Sequence, residues 1–152
     1  YGGTLLVAAR HGDHPMAPAA EQIIAREEAR GAVDPHRFVE LQHEVDQQVR
    51  RLTQWLDERR TCGERVYAYG APSRAVALFH RAGLTTESVV AVADASPAKQ
   101  GRRMPGTDIP IVSPEDLVSA DPDRVLLTLP DLYAEVRLRF PELEGRWMTG
   151  LC

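Results

Sequence analysis

The sequence has 152 residues, 43% hydrophobic and 26% charged, which is typical of a globular domain with a substantial core. Its 18 lysines and arginines and 22 aspartates and glutamates give a net charge of −4, so overall charge gives no reason to expect binding to nucleic acid or an anionic membrane. No apolar run approaches the roughly 18 residues of a membrane-spanning helix. The two cysteines, Cys62 and Cys152, form neither a disulfide framework nor a zinc motif. We therefore expect a cytoplasmic protein.

The N-terminal third is predicted to be mainly helical. A short apolar run at 5–9 is typical of a strand and is followed by the turn-rich stretch HGDHPMAP. Residues 19–30 have helical spacing and stop at Gly31. A longer helix begins with Asp34 as N-cap and Pro35 at its first position, and ends at Gly63. Its apolar stripe consists of Phe38, Leu41, Val45, Val49, Leu52 and Leu56.

After residue 63, short apolar runs alternate with helical segments. The runs are RVYAYG, SVVAVAD, IPIV and RVLLTLP, and GRWMTGL is predicted as a last short strand. The helices are predicted at 73–83, at 114–118 behind a Ser113 cap, and at 132–140. Apolar strands that alternate with helices indicate a parallel sheet covered on both faces. We predict a Rossmann-like three-layer α/β/α domain with a mostly parallel sheet, preceded by a helical segment.

Ligands of such sheets bind beyond the carboxyl ends of the strands. The loop YGAPSRA lacks the glycine spacing of a dinucleotide fingerprint. It nevertheless places Gly70 at a tight turn and Ser73 and Arg74 at a helix N-terminus, a suitable place for an anion. Asp94 lies 24 positions after Gly70 in the sequence, close to the spacing at which Rossmann folds carry the acid that binds the ribose.

A basic loop follows the second apolar run of this region. Lys99, Arg102 and Arg103 are suited to phosphate contacts, and arginine favours bidentate ones. The alternative is that they are ordinary solvated charges on a surface loop. His11 and His14 are close in sequence, but no third ligand accompanies them, so we predict no metal site.

The segments YGAPSRAVALFHRAGL, VVAVADASPAKQGRRMPGTDIPIVSPEDL and RVLLTLPDLYAEV resemble the C-terminal domain of a family of S-adenosylmethionine-dependent C-methyltransferases. Its best-known members methylate carbons of nucleotide-linked deoxysugars in antibiotic biosynthesis. The resemblance covers residues 1–150 and is strongest over 65–133. It implies a parent enzyme with a zinc domain, a methyl-donor domain and this C-terminal domain, with the nucleotide sugar bound between the last two.

The resemblance also divides the chain. Residues 1–10 correspond to the last strand of the donor domain, 11–62 to a helical connector and 63–152 to the C-terminal domain. S-adenosylmethionine and zinc are then expected only in other parts of the parent, and this segment alone is not expected to methylate anything. The predicted substrate-binding residues are Gly70, Pro72, Ser73, Arg74, Asp94, Lys99, Arg102 and Arg103.

Two positions depart from the family pattern. The family's histidine before the glycine pair, a candidate for proton handling, is replaced by Tyr1, which is the predicted catalytic residue. A tyrosine acts as an acid or base near neutral pH only if its pKa is lowered well below about 10. The family loop Gly-Ala-Pro-Ala-Lys-Gly-Asn reads GAPSRAV here. The cation is kept at Arg74, whereas the second glycine and the asparagine are lost.

Two other functions remain open at this point. The domain is also typical of a non-catalytic module that binds a nucleotide or nucleotide sugar, because one fold serves many ligands. The long helix, in turn, favours an interaction or scaffold role, with a homodimer formed through residues 34–60 or docking of the missing donor domain.

Overall fold

The computed structural model describes residues 6–151, and the chain divides between Val45 and Asp46 into two compact units. The first unit contains helix α1, Pro18–Ala29, and the beginning of helix α2, Pro35–Thr61. The strand predicted at 5–9 is absent from residues 6–9. Residues 6–9 belong to no strand of the sheet, and Leu6 and Val7 are exposed. The assignment of residues 1–10 to a donor domain stays a prediction.

Helix α2 begins and ends as its local sequence predicts. The Asp34 carboxylate accepts a hydrogen bond of 2.9 Å from the backbone N–H of His36, which satisfies one unpaired donor of the first turn. At the other end Gly63 has a φ of +72°. Its N–H and that of Glu64 close the last turn on the carbonyls of Arg60 and Arg59.

The apolar stripe of α2 is buried over only part of its length. Leu52 and Leu56 belong to the core of the second unit. Phe38 and Leu41, which share the predicted stripe, are 60% and 55% exposed. The proposed homodimer through residues 34–60 remains a prediction.

The second unit carries a five-stranded parallel sheet within the described residues. The strands are β1 Val66–Tyr69, β2 Val92–Ala93, β3 Ile111–Val112, β4 Arg124–Leu127 and β5 Trp147–Met148, in the order β3-β2-β1-β4-β5. The connecting helices are α3 Ser73–Arg81, α4 Pro114–Ser119 and α5 Tyr133–Arg139. The α/β Rossmann-like prediction is confirmed. Strand β2 covers only part of its apolar run, although backbone bonds to β1 extend back to Val90 and Ala91.

The alternation of side chains along β1 separates two cores. Val66 and Ala68 pack with α2 and α3 on one face, whereas Tyr67 and Tyr69 lie on the opposite face with α4 and α5. Tyr69 packs 5.6 Å from the ring of Phe140, centroid to centroid. The sheet is thus covered on both faces, as a three-layer domain requires.

Helix α4 is held by a capping box at its start. The Ser113 hydroxyl accepts from the backbone N–H of Asp116, and the Asp116 carboxylate accepts from the N–H of Ser113. This confirms the predicted Ser113 cap. In the described part of the chain, no helix is long and apolar enough to cross a membrane.

Candidate functional site

The turn that follows β1 requires glycine. Gly70 has a φ of +94°, and a Cβ atom added there would lie 2.7 Å from the hydroxyl oxygen of Thr128 and 3.0 Å from Leu129. Such a distance forces something to move, and the positive φ is itself unfavourable for other residues. Pro72 follows in extended conformation and precedes α3, so that Ser73 is the first helical residue.

Thr128 closes the crevice between β1 and β4, where the strand order reverses. The residue is fully buried, and its hydroxyl lies 2.9 Å from the carbonyl oxygen of Tyr69 and 2.8 Å from that of Gly70. One terminal nitrogen of Arg74 lies 3.5 Å from the Thr128 carbonyl oxygen. The crevice in which Rossmann-like folds commonly bind ligands is thus filled by the protein's own side chains.

Asp94 stands at the end of β2 and uses its carboxylate inside the protein. One oxygen accepts from the backbone N–H of Ala71 at 2.7 Å and from the ammonium of Lys99 at 2.9 Å. The other accepts from the N–H of Ser96 at 2.9 Å. Burial by itself would raise the pKa of Asp94. The hydrogen bonds from Lys99, Ser96 and Ala71, together with the Lys99 charge, outweigh burial and hold that pKa below its ordinary value.

The basic loop is folded back against the sheet. Its Gln100 amide donates to the carbonyl oxygen of Asp94 at 3.0 Å. The N–H of Met104 bonds the carbonyl oxygen of Ile109 at 2.8 Å, and both side chains are buried. Arg103 donates to the backbone carbonyl of Asp108. The loop is therefore an ordered wall.

Arg102 differs from the other two cations of the loop. Its backbone carbonyl accepts from Ile111, but its exposed guanidinium makes no hydrogen bond or ion pair with any residue in the range 6–151. Lys99 is paired with Asp94 and Arg103 with a carbonyl oxygen. Arg103 has no acidic partner among the described residues either, but its guanidinium is tied to the loop backbone, so Arg102 is the cation of the loop whose side-chain donors are not engaged there.

A cleft of about 390 Å³ opens between the start of α3 and the basic loop. Its polar lining consists of Ser73, Lys99, Arg102 and Arg103. Its apolar lining includes Ala71, Val76, Ala98, Met104, Pro105 and Ile111. Apolar walls with a few converging polar groups are typical of small-molecule sites. This chemistry suits a ligand with a flat apolar part and an anionic part.

Comparison with known proteins identifies the family to which the chain belongs. The C-methyltransferase C-terminal domain family matches residues 1–149. The chain belongs to this family. The C-methyltransferase C-terminal domain described here is also 32% identical to C-methyltransferase NovU of Streptomyces niveus, over 99% of this chain. It spans 37% of the length of that relative.

In this C-methyltransferase C-terminal domain, the structure brings half of the eight predicted substrate-binding residues to the cleft, and Gly70 and Pro72 form the turn before α3. The four that line the cleft are Ser73, Lys99, Arg102 and Arg103. Arg74 is directed toward Thr128, and the Asp94 carboxylate is engaged by protein donors. The role of all these residues in ligand binding stays a prediction, and Tyr1 lies outside the described residues.

One buried polar residue of the domain was not predicted from the sequence. Thr128 was overlooked, although a hydroxyl within the apolar run RVLLTLP is a usable signal, because buried polar groups need partners. The two neighbouring histidines contact each other through the backbone: a ring nitrogen of His14 lies 3.1 Å from the backbone oxygen of His11. Across residues 6–151, no three His, Cys, Asp or Glu side chains are grouped so as to hold a metal ion.

Proposed function

We propose that this domain binds the acceptor of an S-adenosylmethionine-dependent C-methyltransferase in the cleft between α3 and the basic loop. The acceptor is a nucleotide-linked sugar or a related small molecule of secondary metabolism. The observation that carries the proposal is the unpaired guanidinium of Arg102 beside the apolar walls of the cleft. A nucleotide diphosphosugar offers both a flat ring and an anionic diphosphate, which match these two surfaces.

The start of α3 supports a ligand whose anionic part lies near Ser73 and Arg102. No side chain caps this helix, and although the N–H groups of Ala75 and Val76 bond the carbonyl oxygen of Pro72, the N–H of Ser73 is available to a ligand. Helix N-termini favour anions through these donors and through the helix dipole. In this proposal the phosphates lie between Ser73 and Arg102, and the ring of the nucleotide lies against Val76 and the exposed Pro105.

The parent reaction that we propose begins with removal of a proton from a carbon beside a carbonyl group. The resulting carbanion attacks the sulfonium methyl group of S-adenosylmethionine. The bond between that methyl group and sulfur breaks, and S-adenosylhomocysteine leaves as a neutral thioether. This domain contributes orientation of the acceptor, which lowers the entropic part of the barrier. Tyr1 is proposed to handle the proton, in place of the family histidine.

The methyl donor is proposed to bind outside this domain. The turn Gly70-Ala71-Pro72 lacks the glycine spacing of a dinucleotide loop. In addition, Thr128 and Leu129 pack against Gly70 at the reversal of strand order. The described residues therefore do not fit a second nucleotide-like group at that crevice. The zinc of the family is likewise proposed to lie elsewhere in the parent.

The test is calorimetric titration of the chain with UDP-glucose, dTDP-glucose and GDP-mannose, with S-adenosylmethionine as the control ligand. We expect one or more nucleotide sugars to bind and S-adenosylmethionine not to bind. Arg102→Ala should weaken binding about tenfold. Arg51→Ala, an exposed arginine of α2, is the matched control and should leave affinity unchanged. Binding of S-adenosylmethionine alone would overturn the proposal.

A second assay separates the methyltransferase from a non-catalytic binding module. The full-length parent enzyme, incubated with S-adenosylmethionine and the nucleotide sugar that binds best, should release S-adenosylhomocysteine and a product heavier by one methylene. Tyr1→Phe in that enzyme should abolish the product and keep acceptor affinity. A parent that binds the sugar tightly but never methylates it would favour the binding module.

A further inference from the structure

Lys99 lines the cleft, yet two of its three ammonium protons are used by the protein. The Nζ atom lies 2.9 Å from a carboxylate oxygen of Asp94 and 3.0 Å from the carbonyl oxygen of Ala71. Both bonds are made although the side chain is 43% exposed. A cation held in this way has lost much of its capacity to pair with a ligand phosphate.

The bonds of Lys99 complete a ring between the two walls of the cleft. The carboxylate oxygen that receives the Lys99 ammonium also accepts the N–H of Ala71 at 2.7 Å. The N–H of Ala71 thus donates to Asp94, and the carbonyl oxygen of Ala71 accepts from Lys99. Both peptide groups that flank the Ala71 Cα are hydrogen-bonded in this way. Ala71 belongs to the wall that leads into α3, and Lys99 to the wall that carries Arg102.

We propose that Lys99 is a positioning residue, which with Asp94 clamps the Ala71 turn to the basic loop and so holds Arg102 facing the start of α3. The inference rests on the proposed function, because it assigns the contact with the anionic part of the ligand to Arg102 and not to Lys99. Other contacts also hold the loop, among them the bond of 3.2 Å between a ring nitrogen of His80 in α3 and the carbonyl oxygen of Gly106 and the bond from the Gln100 amide to Asp94. The clamp is the side-chain tie at the Ala71 turn itself.

The first measurement is amide hydrogen exchange of the ligand-free chain. Lys99→Met keeps most of the side-chain volume and removes the charge, and Asp94→Asn removes the other half of the clamp. Both variants should raise exchange at Ala71 and Ser96, whose N–H groups bond Asp94, about tenfold. The amide of Asp116, held by the distant capping box, serves as the internal control and should not change.

The second measurement is a double-mutant cycle of nucleotide-sugar affinity with the same calorimetric ligands. Lys99→Met should weaken binding about tenfold, as Arg102→Ala does. Because the clamp acts through Arg102, the double variant should bind no more than about threefold more weakly than either single variant. A purely structural role far from the ligand would not produce this dependence on Arg102.

The outcomes separate the inference from the function beneath it. Unchanged exchange at Ala71 and Ser96 in Lys99→Met would overturn the clamp, as would affinity losses that multiply in the double variant, which indicate direct contact of Lys99 with the ligand. If the unmodified chain binds none of the three nucleotide sugars, the acceptor-binding proposal fails for this chain. The exchange measurement would still decide whether Lys99 and Asp94 hold the two walls together.

Discussion

The hydroxyl oxygen of Thr128 lies 2.8 Å from the carbonyl oxygen of Gly70, and a Cβ atom on Gly70 would come within 2.7 Å of that same hydroxyl. The two residues lie at the carboxyl ends of neighbouring parallel strands, one place beyond β1 and β4. Each therefore limits what the other position accepts. Their contact fills the reversal point of the sheet, and the open cleft lies instead on the β2 side of β1.

Gly70→Ala should destabilise the domain by at least about 2 kcal/mol, from the strained positive φ together with the collision with Thr128. Urea unfolding followed by circular dichroism measures the loss. Gly83→Ala is the matched control, since Gly83 also has a positive φ but nothing within 4 Å of its added Cβ. Equal losses at the two glycines would contradict a steric role for Thr128.

Thr128→Val should lower the free energy of unfolding by about 1–2 kcal/mol, because it keeps the shape of the buried side chain and removes its hydrogen bond. The measurement is again urea unfolding. Thr61→Val removes a comparable hydroxyl, which bonds the carbonyl of Asp57 at an exposed position, and should change stability by less than about 0.5 kcal/mol. A loss at Thr128 no larger than at Thr61 would count against the buried bond.

Asp94 should make stability depend on pH in the acid range. Its pKa in the folded protein is below the ordinary value of 3.8, so the unfolded chain takes up the proton first as pH falls. The stabilisation is therefore fully present above the ordinary pKa and is lost as pH falls through the folded-state pKa.

Urea unfolding of the unmodified chain and of Asp94→Asn between pH 3 and pH 7 tests this dependence. The unmodified chain should be more stable by about 1–3 kcal/mol at neutral pH, since its charged carboxylate accepts three hydrogen bonds. The difference should shrink below about pH 4. A difference that stays constant to pH 3 would show that the Asp94 charge adds nothing to stability.

Arg102→Lys should bind nucleotide sugars with an affinity between those of the unmodified chain and Arg102→Ala. Lysine keeps the charge but loses the planar pair of donors that contacts a phosphate bidentately. Calorimetry gives the order, with Arg51→Lys on the exposed face of α2 as the matched control. Equal affinity of the lysine and alanine variants would mean that charge at this position does not attract the ligand.

Local signals in the sequence determined most of the elements. Asp34 and Gly63 mark the ends of α2 through the side-chain cap and the positive φ of its last turn, and Ser113 marks the start of α4. The apolar runs at β1 and β4 are each buried on both faces, so continuous hydrophobicity was enough to predict parallel strands. These signals act over a few residues, and a sequence displays them directly.

Only the tertiary structure decided which polar groups meet. The carboxylate of Asp94 bonds an N–H 23 residues away at Ala71, and Thr128 bonds Gly70 across 58 positions. The three cations of the basic loop cannot be told apart in the sequence. In the folded chain Lys99 bonds Asp94 and Ala71, and Arg103 bonds the backbone of its own loop. The guanidinium of Arg102 is left without a partner among the described residues. A hydrogen bond requires a short distance and a suitable angle between donor and acceptor. Pairing of the strands sets that geometry, and the spacing of residues in the sequence does not reveal it.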